Sequence, residues 1–124
     1  MAVIKRVLCP EQLRRVPPQF SWVDHRLVRD RRIAGRSVEA LALYLFLVTV
    51  ADGQGLSYYS DAGITKLLPL DEPRLARARE ELVRARLVAY ERPLYQVLSL
   101  DIPLPRSGQT QSLGEIFRKM RSST

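Results

Sequence analysis

A mainly helical domain carrying a small β-hairpin, an α+β fold, is the class that this sequence predicts, and three observations predict it. Residues 38–51 make an almost unbroken apolar run that begins directly after Ser37. Residues 71–85 repeat apolar side chains at helical spacing, and residues 87–100 hold two strand-like runs on either side of Glu91-Arg92-Pro93. At 124 residues the chain has room for one ordinary domain and not for two. Hydrophobic residues at 46% and charged residues at 27% place it with globular chains, away from disordered or fibrous ones.

Residues 1–19 hold Pro10, Pro17 and Pro18 and no sustained periodicity, so a basic extended arm is expected, with a short strand at residues 3–7. Phe20, Trp22 and Val23 then form a compact apolar patch, and Phe20, Trp22, Tyr44 and Phe46 read as core, with base stacking by an exposed aromatic as the alternative. Asp24 can cap a short helix running to about Arg31, with Leu27 and Val28 inward, and Gly35 ends it. Ser37 caps the helix over residues 38–51, where Leu41, Leu45 and Val48 share one stripe and further apolar residues widen it almost all round.

Asp52-Gly53-Gln54-Gly55 reads as a turn and residues 56–59 as a short strand, with one of Tyr58 and Tyr59 buried. Ser60 caps a helix over residues 61–68 whose inward residues are Ala62, Ile64 and Leu67 or Leu68. Asp71 caps the next helix, with Pro73 in its first turn, where a missing N–H is tolerated. Leu75, Ala78, Leu82 and Ala85 form its apolar face, opposite Pro73, Arg77, Glu80 and Arg84. In the hairpin, Tyr90 and Tyr95 are placed to pack across the strands. Residues 20–100 make the domain and residues 101–111 a linker. Residues 112–121 open on a capping-box pattern and carry Leu113, Ile116, Phe117 and Met120 at i, i+3, i+4 and i+7. That amphipathic helix either docks on its own domain or engages a protein partner.

Charge narrows the function. Twenty basic against thirteen acidic residues leave +7, and a polyanionic partner is the natural reading. Residues 1–36 hold nine basic and three acidic groups, net +6, whereas residues 71–92 hold six and five, net +1. Seventeen of the twenty basic residues are arginine, the side chain suited to bidentate phosphate contacts; arginine-rich codon usage is the alternative cause. One cysteine, Cys9, and one histidine, His25, exclude a disulfide framework and give no cluster for a metal. His25 beside Asp24 is no catalytic dyad, because adjacent residues point apart and no nucleophile or phosphate-binding loop accompanies them. No enzymatic activity and no cofactor are expected. The longest apolar run falls short of the roughly 20 residues that span a bilayer, so the expectation is a cytoplasmic protein without a membrane partner.

The order short helix, long buried helix, short strand, short helix, tight turn, helix and hairpin is that of a winged helix, and residues 56–100 resemble the winged helix-turn-helix superfamily. The resemblance rests on Ser60 to Leu68 as the positioning helix, Asp71 to Ala85 as the recognition helix and Tyr90 to Leu94 as the wing. With Phe20-Ser21-Trp22-Val23-Asp24 and the helix from Ser37 included, it is similar to the N-terminal domain of bacterial primosomal and phage replisome-organiser proteins, and to small proteins of mobile elements. Arg86 stands where many members have glycine, which implies a looser helix end or an unfavourable backbone there. The resemblance implies non-enzymatic binding of double-stranded DNA, in replication initiation or mobile-element function. Arg74 and Arg77 would meet base edges, Arg84 would lie further along, and Lys66 and Arg92 would meet phosphates. Arg26, Arg29, Arg31 and Arg32, with Arg36, would add sequence-independent phosphate contacts. Two competing expectations stand beside it. Arg77 and Arg84 can instead pair with Glu81 and Glu80 as a solvated charged face. The chain can also be a winged-helix protein–protein adaptor, dimeric and without DNA, that engages a replication or transposition partner through the C-terminal helix, and the N-terminal arm can pair with another subunit.

Overall fold

The computed structural model describes residues 4–101. In chain order they form α1 (Arg26–Arg29), α2 (Val38–Val50), β1 (Leu56–Tyr58), α3 (Asp61–Leu67), α4 (Glu72–Arg84), β2 (Val88–Glu91) and β3 (Leu94–Val97). The strands make an antiparallel sheet in the order β1-β3-β2, with Ser57 opposite Tyr95 and Tyr90 opposite Tyr95. The architecture is therefore α+β and mainly helical.

Side-chain caps set the helix starts. Ser37 Oγ accepts from the Ala40 N–H at 3.1 Å, Ser60 Oγ from Gly63 at 3.0 Å, and Asp71 Oδ1 from Arg74 at 2.9 Å. Each satisfies one N–H that has no partner inside its helix. The end of α4 is closed by the chain itself. Arg86 takes φ +60, its N–H meets the Val83 carbonyl at 3.1 Å, and the Leu87 N–H reaches back to the Leu82 carbonyl at 3.1 Å. This is a Schellman closure, with Leu82 and Leu87 both fully buried across it. Of the two alternatives expected at Arg86, the helix end is not loosened and the backbone takes the unfavourable left-handed conformation.

The core sits where α2 and α4 meet above the sheet: Ala40, Leu43, Tyr44 and Leu47 from α2, Leu75, Ala78 and Leu82 from α4, then Ile64, Leu87, Val88 and Tyr95. The buried stripe of α2 thus differs from the expected Leu41, Leu45 and Val48, and Leu45 is 62% exposed. With apolar residues on every side, hydrophobicity does not choose a face. The small Ala40 and Ala78, both fully buried, mark the faces on which the two helices can approach closely.

Further expectations are corrected at the edges. Residues 4–7 form no strand, and between Ile4 and Gln19 only Pro10–Gln12 is regular, as a 3₁₀ helix. Phe20 and Trp22 lie outside the core, 67% and 76% exposed, because the arm runs over the surface after Pro17-Pro18; Ser21 Oγ donates to the Thr49 carbonyl at 3.2 Å. Tyr44 is buried as expected and Phe46 half-buried, its ring edge-on to Tyr59 at 5.0 Å. α1 has one turn and can turn only Leu27 inward, so Val28 is exposed. In α3 only Ile64 is fully buried; Leu68 is partly covered, and Ala62 and Leu67 face outward. The Asp52–Gly55 turn needs its last glycine: Gly55 has φ +84, and a Cβ there would lie 2.7 Å from the Val97 carbonyl oxygen.

Candidate nucleic-acid interface

Helix α4 buries Leu75, Ala78 and Leu82 and so turns Pro73, Ala76, Arg77, Glu80 and Arg84 outward. Of the two local ion pairs expected on this face, one forms. Arg84 Nη2 meets Glu80, whereas Glu81 turns away from Arg77. The Glu81 carboxylate instead accepts from the Ser37 N–H at 2.8 Å and from the Ser37 hydroxyl at 2.6 Å. These hydrogen bonds hold its carboxyl below the usual carboxylate range, with Arg36 and Arg84 adding attraction. Glu81 thereby fastens α4 to the first turn of α2. Arg77 is left exposed with no acidic partner among the described residues.

Arg74 is exposed beside Asp71, its Nε 3.9 Å from the carboxylate. Arg74 and Arg77 together line a cleft of about 260 Å³ with Ser37, Glu39, Ala78 and Glu81. Lys66, in the last turn of α3, and Arg92, at the hairpin turn, are both exposed. Five of the expected contact residues therefore reach solvent on α3, α4 and the hairpin, with the acids Glu72, Glu80 and Glu91 exposed among them.

The N-terminal basic group divides. Arg26 is a structural residue: it meets Asp24 at 2.7 Å and Asp101 at 2.6 Å, tying the start of α1 to the chain beyond β3. Its hydrogen bonds pull the Asp24 carboxyl down to about 2 and, with one from Ser99, lower that of Asp101. Arg32 is half-buried, with Nη2 3.5 Å from the Leu100 carbonyl oxygen, and Arg36 is half-buried near Glu81. Arg29 and Arg31 remain exposed, Arg29 with Asp30 at 4.0 Å. Leu113, Ile116, Phe117 and Met120 lie outside the described residues.

No family model, curated protein or solved structure matches this chain. Among the described residues no three His, Cys, Asp or Glu side chains are grouped to hold a metal, and no helix is long and apolar enough to cross a membrane. Cys9 and His25 are exposed.

One arginine of α4 escapes a reading of the sequence. Arg79 stands four residues after Leu75 and three before Leu82, a spacing that puts it on the edge of the buried face. Its Nη1 donates to Asp61 Oδ1 and to the Tyr95 hydroxyl, each at 2.8 Å, and its guanidinium lies 4.4 Å from the centre of the Tyr90 ring. Burial works against its charge and the bonds to Asp61 and Tyr95 outweigh it, so the group is held protonated. Arg79 thus joins α3, α4 and the hairpin, and holds in place the elements that present the exposed arginines.

Proposed function

We propose that the chain is a winged-helix protein that binds double-stranded DNA, with α4 entering the major groove. The observation that carries this reading is Arg77, which is exposed at the middle of α4 while its natural helical partner Glu81 is engaged by Ser37. An arginine free of internal ion pairs keeps its planar donor fork for a guanine edge, a bidentate contact worth about 1–3 kcal/mol of discrimination. Arg74, one turn earlier, is a second base-reading residue. Lys66 and Arg92 flank the helix as phosphate contacts, and Arg29 and Arg31 add sequence-independent attraction. Arg84 is held by Glu80 and contributes less. Replication initiation or mobile-element function is the setting that the sequence resemblance suggests.

Fluorescence anisotropy with labelled duplexes over a salt series tests this. Binding should weaken steeply with salt, and Arg77→Ala should cost roughly 5- to 150-fold for the preferred duplex with less effect on an arbitrary one. No binding at about 50 mM salt would refute the proposal.

A dimeric adaptor is the second reading, and the arm favours it. Ile4, Leu8, Leu13 and Val16 are all exposed on a segment with few other bonds to the domain. Sedimentation of the full chain against one lacking residues 1–19 separates the two: loss of a dimer on truncation, with no DNA binding by either, is the adaptor's signature.

A further inference from the structure

A groove of about 500 Å³ lies on the molecule between the segment that precedes α1, the second half of α2, the Asp52–Gly55 turn and the chain after β3. Phe20, Trp22, Tyr44, Val48 and Leu98 give it an apolar lining. Its volume falls in the range, roughly 300–1,000 Å³, of pockets that bury sizeable apolar ligands. The exposure of Trp22 and Phe20 on its wall leaves apolar surface in water that an occupant would cover. Three acids, Asp24, Asp52 and Asp101, and one base, Arg26, complete the lining, so its formal charge is −2.

We propose that this groove receives residues 112–121 of the same chain, with Leu113, Ile116, Phe117 and Met120 against Trp22 and Val48. Two independent features select this occupant. The first is where the chain leads. Asp101 itself lines the groove, and ten residues separate it from Ser112. That spacer reaches up to roughly 33–36 Å. A tether of this length sets an effective concentration on the order of millimolar, far above that of a second copy at micromolar concentration. The second is charge. Residues 112–121 carry Arg118, Lys119 and Arg121 against Glu115, net +2, opposite in sign to the groove. A ten-residue amphipathic segment is too short to hold a helix in water by itself, so helix formation and docking would occur together.

Trp22 is the chain's only tryptophan and lines the groove, so it reports occupancy directly. The full chain is compared with full-length Phe117→Asp, and with Arg118→Glu/Lys119→Glu as a second variant that leaves the apolar face intact. Far-ultraviolet circular dichroism and the melting temperature confirm that each folds. Wild type should show a blue-shifted Trp22 emission protected from acrylamide, and both variants a red shift and loss of protection. In wild type the emission should not change between about 0.1 and 100 µM protein. Emission and quenching identical in wild type and both variants would overturn the proposal. So would a blue shift that disappears on dilution, which would make the occupant a second copy.

Discussion

Replacing Arg79 by alanine separates the arginine that holds the fold from the arginines that face outward. The Tyr95 side chain is wholly buried, and Arg79 is the donor to its hydroxyl. Losing that donor strands a buried hydroxyl at about 1–3 kcal/mol. The pair with Asp61 adds only about 0–1 kcal/mol, because the Asp61 side chain is 38% exposed although that of Arg79 is 14%. The guanidinium over the Tyr90 ring adds about 0.5–1 kcal/mol. Arg79→Ala should therefore cost about 1.5–5 kcal/mol, a large part of the 5–15 kcal/mol typical of a small domain. Urea denaturation followed by circular dichroism gives the value from the midpoint at unchanged slope. Arg77→Ala, from the same helix, should change stability by less than about 0.5 kcal/mol. Equal effects of the two substitutions would refute the assignment of Arg79 to the core and Arg77 to the surface.

Arg86→Gly removes a side chain from a left-handed position and should stabilise by about 0.5–1 kcal/mol, the relief of backbone strain exceeding the added chain entropy; a rise in the urea midpoint checks it. Ser37→Ala deletes both the cap of α2 and the donor hydroxyl for Glu81, and should cost about 1–2 kcal/mol in the same assay. Asp24, Asp101 and Glu81 all titrate lower in the folded chain than free carboxyls do, so their stabilisation is complete above roughly pH 5 and is lost as pH falls toward about 2. The melting temperature should fall over that interval, and fall less in Arg26→Gln, which no longer depresses Asp24 and Asp101.

Local chemistry in the sequence was enough to place α2, α3 and α4. Ser37, Ser60 and Asp71 cap the helices that they were expected to cap, because a cap depends on one side-chain oxygen and an N–H three residues away. At Arg86 the residues left a looser helix end and a left-handed backbone both open, and only the closure onto Leu82 and Val83 decides for the second. The buried face of α2 was not legible, since Leu41 and Leu43 are equally apolar and only the approach of α4 distinguishes them. Trp22 was assigned inward by residue type, yet the chain that carries it never enters the core. At the candidate interface the sequence offered Glu81 a neighbour at helical spacing, Arg77. The fold supplied a stronger partner 44 positions away in Ser37, a competition that only tertiary structure decides. Arg79 and Arg77 differ by two positions and cannot be told apart until Tyr95 and Asp61 are in place.

The closure at the end of α4 also has a mechanical consequence. Residues 85–87 are the whole connection to β2, and the backbone bonds of Arg86 and Leu87 to Val83 and Leu82 lock it. On the other side, the Leu87 carbonyl accepts from Leu98 at 3.0 Å, which ties the same point to the chain after β3. These bonds fix α4 against the hairpin, and with them the spacing between Arg77, midway along α4, and Arg92, at the hairpin turn. A DNA duplex that met both arginines, as proposed, would have to match that spacing, since the connection leaves little backbone freedom to adjust it.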